Sequence, residues 1–190
     1  MQENNNEQQV REPESGKGKK TIKQEIFEWA KAIIFALVVV LILRTFVFQL
    51  IRVDGTSMLE TLQHNDIIFT TMFDQYFGTF EHGDVVICNY PGVNGYRVKR
   101  IIGMPGDTVE IRDNVTYVNG EVLEEEYVTH MPRSDYGPIT VPEGYYFVMG
   151  DNRTVSKDSR SASVGPIAIS EVKGKVRCVI FPFNAIRTVE

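Results

Sequence analysis

Ala32–Leu43 reads AIIFALVVVLIL, twelve apolar residues without interruption, and after Arg44 and Thr45 the apolar character resumes in FVFQLI, Phe46–Ile51. As one helix these twenty residues rise about 30 Å, the thickness of a bilayer's hydrocarbon core, whereas the uninterrupted part alone is shorter than a usual span. A cleaved signal peptide needs small residues just after its apolar core. Here Arg44, Thr45, Phe46, Val47 and Phe48 are bulky or charged, so the segment reads as an uncleaved anchor. Arg44 can snorkel its charge to the interface and Trp29 suits the headgroup region at the other end. The expectation is a single transmembrane helix over 25–51.

Basic residues set its orientation. Lys17, Lys19, Lys20, Lys23 and Lys31 precede the apolar run, and Arg52 alone follows it closely. The excess of Lys and Arg belongs on the cytoplasmic side, which puts the amino terminus inside and residues 52–190 outside the cell membrane. Residues 1–24 are dominated at first by Gln, Asn, Glu, Lys and Gly and cannot bury enough apolar surface to offset their ordering entropy, so a disordered cytoplasmic tail is expected.

Beyond the anchor the pattern turns to short segments rich in β-branched and aromatic residues: IIFTTMF, DVVICNY, YRVKRII, TVEIRD, VTYVNG, YYFVMG and KVRCVIF, separated by Gly, Pro, Asn and Asp. This predicts one all-β domain. Asn119-Gly120 between apolar runs marks a tight hairpin, because a two-residue turn wants positive φ at both positions. A 190-residue chain with 43% apolar and 24% charged residues is ordinary for a globular protein, and its net charge of −5 argues against nucleic acid as a partner. Cys88 and Cys178 lie in apolar runs without Cys-x-x-Cys company and read as buried small hydrophobes rather than a disulfide.

Three polar constellations interrupt this frame. Ser57 lies in VDGTSMLETL (Val53–Leu62), where Asp54 and Gly55 let the backbone turn out of the apolar run and expose a hydroxyl. Forty-two positions later Lys99 lies in YRVKRIIGMPGD (Tyr96–Asp107) beside Val98, Ile101 and Ile102. A serine hydroxyl is a poor nucleophile until a base takes its proton, and a lysine in a dry site can be that base if its pKa falls by roughly two to three units. Taken singly, each motif has a plain alternative: a turn serine, and a solvated Lys99-Arg100 edge pair. MGDNRTVSKDSR (Met149–Arg160) follows an apolar strand and carries more hydrogen-bonding capacity than a turn requires.

In this order and behind an amino-terminal anchor, the three motifs resemble those of type I signal peptidases, the membrane-bound peptidase S26 family that removes signal peptides from exported preproteins. The resemblance covers nearly all the chain after the tail. It implies a mainly β fold: a single extracytoplasmic catalytic domain of coiled antiparallel sheets behind one transmembrane helix. It also implies catalysis by Ser57 as nucleophile and Lys99 as general base, an oxyanion donor in the Ser57 backbone N–H, Ser156 orienting the lysine amine, and a loop-stabilising ion pair of Asp158 with Arg160. No metal or cofactor is called for; the partners are signal peptides and membrane lipid, and the oligomeric state is open. Three departures stand out. Glu60 occupies a position where the family usually has proline, Gly55 stands where some members carry a serine that binds the oxyanion, and SASV intervenes before Gly165. Two other readings fit less well: an inactive family-like assembly factor generally lacks the nucleophile or the lysine, and a self-cleaving repressor would need a DNA-binding helix pair in place of the apolar segment.

Overall fold

The computed structural model describes residues 21–78, 80–129 and 134–189, in two compact units divided after Val40. In the first unit helix α1, Ile22–Ile42, exposes Trp29, Phe35, Leu37 and its other large apolar side chains and buries none. It has no Gly or Pro to break it, and one π-helical turn, Leu43–Val47, extends the helical stretch to 26 residues. About 39 Å of helix results, enough to cross a hydrocarbon core.

The expected anchor boundary needs correction at both ends. Residues 22–24, read as tail, are helical, and 1–20 lie outside the described residues. At the other end Phe48–Arg52 is strand β1, not helix. Its residues pair with Ile67–Thr71, β2, from Phe48↔Thr71 to Arg52↔Ile67, and a run of mixed aromatic and branched residues satisfies its backbone across a ladder as well as within a helix.

The second unit continues with the short helix α2 (Asp74–Phe77), then β3 (Val85–Tyr90), β4 (Val93–Gly103), β5 (Thr108–Arg112), β6 (Val115–Val118), β7 (Glu121–Val122), β8 (Tyr136–Thr140), β9 (Tyr145–Met149), β10 (Ile167–Ala168), β11 (Val172–Phe181) and β12 (Arg187–Thr188). All ladders are antiparallel: one sheet runs β1-β2-β11-β3-β4-β9-β10 with β12 paired to β11, and the other runs β7-β6-β5-β8. The seven strand-like segments of the sequence are all strands; β1, β7, β8, β10 and β12 are additional, and β7, β10 and β12 are only two residues long. Val118 pairs with Glu121 across Asn119 (φ 55°) and Gly120 (φ 83°), the expected tight hairpin.

β4 ties the core together. Ile101 packs with Val86, Tyr146, Val148 and Val172, while the next residue, Ile102, packs with Val109, Ile111, Phe147 and Met149. Alternation along the strand therefore buries both faces of β4 at this level, and with them the side chains of Lys99 and Arg100. Both cysteines are free thiols, but only Cys88 is fully buried; Cys178 is half-buried because it sits opposite Phe69 on a partly open face of β11.

Candidate active site

Gly55, with φ 103°, turns the chain out of the strand region, and its N–H is taken by His64 Nδ1 at 3.1 Å. Two residues on, Ser57 is held on one side by Met58 and Leu62, which are buried with Val53, Ile68 and Val85. The turn is fastened without proline at position 60. Leu62 N–H donates to the Met58 carbonyl (2.8 Å), Thr61 Oγ1 to Asp151 Oδ2 (2.5 Å), and Arg187 Nη2 to the Thr61 carbonyl (2.7 Å).

Lys99 is brought to this turn by the β3–β4 ladder, in which it pairs with Val86. The residue is only 3% exposed, and its Nζ lies 2.7 Å from Ser57 Oγ and 2.9 Å from the Val98 carbonyl oxygen. Burial lowers its pKa from the usual lysine value; Asp158 and Asp151 pull the other way, the Arg97 charge reinforces the lowering, and burial wins. A neutral amine at that separation accepts the hydroxyl proton as readily as an ammonium donates to the oxygen. The arrangement can activate a serine.

The loop after β9 closes the site from behind. Asn152 donates its backbone N–H to the Ser57 carbonyl (3.0 Å) and its Nδ2 to the Thr56 carbonyl (3.2 Å). Asp158 and Arg160 form a two-pronged pair, Nε to Oδ1 and Nη2 to Oδ2, both 2.8 Å, and Asp158 also accepts the Gly150 N–H at 3.0 Å. Burial alone would raise the Asp158 carboxyl; the Arg160 guanidinium and the Gly150 N–H outweigh it and hold the group below its ordinary pKa.

Ser156 stands differently from the expectation. Its backbone N–H bonds the Asn152 carbonyl, and its hydroxyl, instead of reaching Lys99, is buried without a well-formed hydrogen bond to any group; it lies near Asp158 and favours that carboxylate's charge. The lysine amine's partners are Ser57 Oγ and the Val98 carbonyl oxygen. Among the described residues no hydrogen bond engages the Ser57 N–H. The SASV segment turns on itself, with the Val164 and Gly165 N–H groups on the Ser161 carbonyl (both 2.9 Å), and Val164 packs on the apolar core.

Several supporting residues were missed by the sequence reading. Arg100, read as half of a solvated pair, is 1% exposed, forked onto Asp151 (Nε–Oδ1 3.0 Å, Nη2–Oδ2 2.8 Å) and stacked over the Tyr127 ring at 3.8 Å. Arg153 reaches Glu125 with two bonds, Thr116 Oγ1 at 3.1 Å and the Gly150 carbonyl at 3.1 Å. The crowding of polar groups in MGDNRTVSKDSR was the one signal for them. Ser57 and Lys99 open onto a cavity of about 320 Å³ that is also lined by Ile51–Gly55, Met58 and Tyr96–Val98. Among the described residues no His, Cys, Asp and Glu cluster is suited to a metal ion.

Comparison with known proteins identifies the family. The model of the family described as "Signal peptidase, peptidase S26" matches residues 26–181. A Signal peptidase I of Bacillus licheniformis is 43% identical over 178 residues, covering 88% of this chain and 95% of that protein. Signal peptidase I S of Bacillus subtilis (strain 168) is 41% identical, covering 87% of this chain and 94% of that protein. A Signal peptidase IB of Staphylococcus aureus (strain COL) is 32% identical over the same 87% of this chain and 95% of its own length. Matches of that extent, spanning the apolar helix and all three polar motifs, show that the chain belongs to the signal peptidase family, peptidase S26.

Proposed function

We propose that this membrane-anchored serine endopeptidase removes amino-terminal signal peptides from exported preproteins, with Ser57 as nucleophile and Lys99 as general base. The observation that carries the reading is the 2.7 Å approach of a buried, pKa-lowered lysine amine to the serine hydroxyl. Neutral Lys99 takes the proton as Ser57 Oγ bonds to the carbonyl carbon of the residue before the cut. The Ser57 N–H stabilises the oxyanion. On collapse the C–N bond breaks, the lysine proton passes to the departing amine, and the substrate's amino-terminal part stays on Ser57 as an ester. Lys99 then draws a proton from water, whose oxygen attacks the ester; the C–O bond breaks and the proton returns to Ser57.

Asp158, Arg160 and Ser156 support the dyad by fixing the loop behind it, and the substrate strand runs along the cavity that Ser57 and Lys99 line. An inactive scaffold reading is disfavoured by a pair that is both present and in contact. The apolar helix anchors the chain in the cell membrane, with the amino terminus cytoplasmic and the β-rich unit outside. Confining enzyme and preprotein to one bilayer raises their effective concentration, so weak substrate contacts suffice. Purified protein in detergent, incubated with a preprotein, yields fragments whose masses place the cut after a small residue, and Ser57→Ala yields none; processing by Ser57→Ala at the wild-type rate contradicts the reading.

A further inference from the structure

Among the described residues six arginines meet a carboxylate. Arg100 has Asp151, Arg112 has Glu110, Arg153 has Glu125, Arg160 has Asp158, Arg177 has Asp74 and Arg187 has Asp66. Among the described residues from β1 onward, Arg52 and Arg97 break the pattern. Neither meets a carboxylate: Arg52 Nε donates to Asn65 Oδ1 at 3.0 Å, and Arg97 Nη1 to the Tyr96 carbonyl at 3.0 Å. Both line the cavity that holds Ser57 and Lys99, Arg52 from the end of β1 and Arg97 from β4.

Position sharpens the point. The β3–β4 register is unbroken from Cys88↔Arg97 to Val86↔Lys99, so Arg97 and Lys99 project from the same face of β4. Two residues of strand place them about 7 Å apart, one side-chain repeat of an extended peptide. Arg97 is near enough that its charge opposes protonation of Lys99. The cavity's acidic lining residue, Asp54, has a side chain 97% exposed and faces His64 at 3.6 Å, so it neutralises neither arginine.

We infer that Arg97, with Arg52 lining the same cavity, reads a carboxylate side chain on the substrate about two residues from the cleaved bond, so that the enzyme favours Asp or Glu there and disfavours Lys or Arg. This rests on the proposed peptidase reading and adds a preference of this chain's own groove to it. A carboxylate entering the cavity completes the pairing that every other arginine of this group finds within the protein. A cation entering meets two unneutralised guanidinium groups, and like-charge juxtaposition is an effective way to reject a partner.

The test uses full-length protein in a neutral, lipid-free detergent and three sets of signal-peptide substrates, carrying Glu, Gln or Lys at the second residue on either side of the cut. On one side wild type is expected to cleave the Glu peptide with a kcat/KM roughly two- to fivefold above the Gln peptide, and the Lys peptide below both. In Arg97→Gln the Glu-to-Gln ratio falls toward one, and in Arg97→Glu the order inverts; Arg52→Gln reduces the ratio without inverting it. Equal cleavage of the three peptides by wild type, or a preference that survives in both Arg97 variants, overturns the inference while the cleavage itself leaves the peptidase reading standing. Failure of wild type to cleave any peptide overturns that reading and the inference with it.

Discussion

The Gly150 α-carbon faces the Ser57 carbonyl so closely that a methyl group placed on it would sit 2.4 Å from that oxygen and 2.2 Å from Ser156 Oγ. The loop behind the nucleophile and the nucleophile's own peptide are thus in direct backbone contact, and only glycine permits it. Gly150→Ala must push the two apart, since a backbone oxygen cannot rotate away as a flexible side chain does. We expect activity to fall by about 100-fold or more, in kcat rather than KM, because a displacement of ~1 Å at a reacting group costs on that order. Steady-state kinetics on folded protein, verified by circular dichroism, checks this.

The lowered pKa of Lys99 fixes the sign of the pH response. Activity needs the neutral amine, so kcat/KM should rise with pH through the folded-state pKa of Lys99 and level off before the ordinary lysine value of 10.5. Lys99→Arg should be inactive at every pH, because a guanidinium does not release its proton usefully.

Stability carries the same signature. Between the folded-state pKa of Lys99 and 10.5 the unfolded chain binds more protons, so the folded state gains stability as pH rises through that window and carries the full penalty below it. Lys99→Met should therefore melt higher than wild type at neutral pH, with a difference that shrinks to nothing above pH 10.5. Thermal melts across the pH range read this directly.

Arg100 and Asp151 are both almost wholly buried, with side chains 2% and 0% exposed. Removing one charge leaves the other in the interior, a loss of about 3–5 kcal/mol. Asp151→Asn should lower the denaturant midpoint and also cut activity, since Asp151 accepts from Thr61 in the nucleophile's turn. The exposed Arg112–Glu110 pair offers the contrast: Glu110→Gln should change stability by less than about 1 kcal/mol.

Arg160→Lys keeps a positive charge near Asp158 but loses the two-pronged geometry. The loop that positions Gly150 should loosen, and kcat should drop by about 10-fold while the fold persists. Asp158→Asn should do at least as much, because it also weakens the acceptor for the Gly150 N–H.

Strand content was legible because VVICNY, VEI and YYFVM carry β-branched and aromatic residues between turn formers, and the Asn119-Gly120 hairpin because its chemistry is local. The end of the anchor was not: FVFQLI is as apolar as a helix end, and only its partner β2, distant in sequence, decides that it is a strand. Ser57 and Lys99 stood out by motif, yet their contact depends on the β3–β4 register, which brings Lys99 opposite Val86. Arg100 was misread for the same reason. A cation beside another cation looks solvated until Asp151, fifty-one positions on, is seen to cover it. The hydroxyl of Ser156 shows the converse, since the motif placed it near the site but it makes no bond to Lys99.

The most direct measurement is a titration of the Lys99 amine itself, by nuclear magnetic resonance of protein carrying labelled lysine, with the signal assigned through Lys99→Arg. The account predicts a midpoint clearly below 10.5 that coincides with the rising limb of the kcat/KM profile and moves when Ser57 is acylated. A midpoint at the ordinary lysine value, in protein that still cleaves its substrate near neutral pH, would show that another group takes the serine proton.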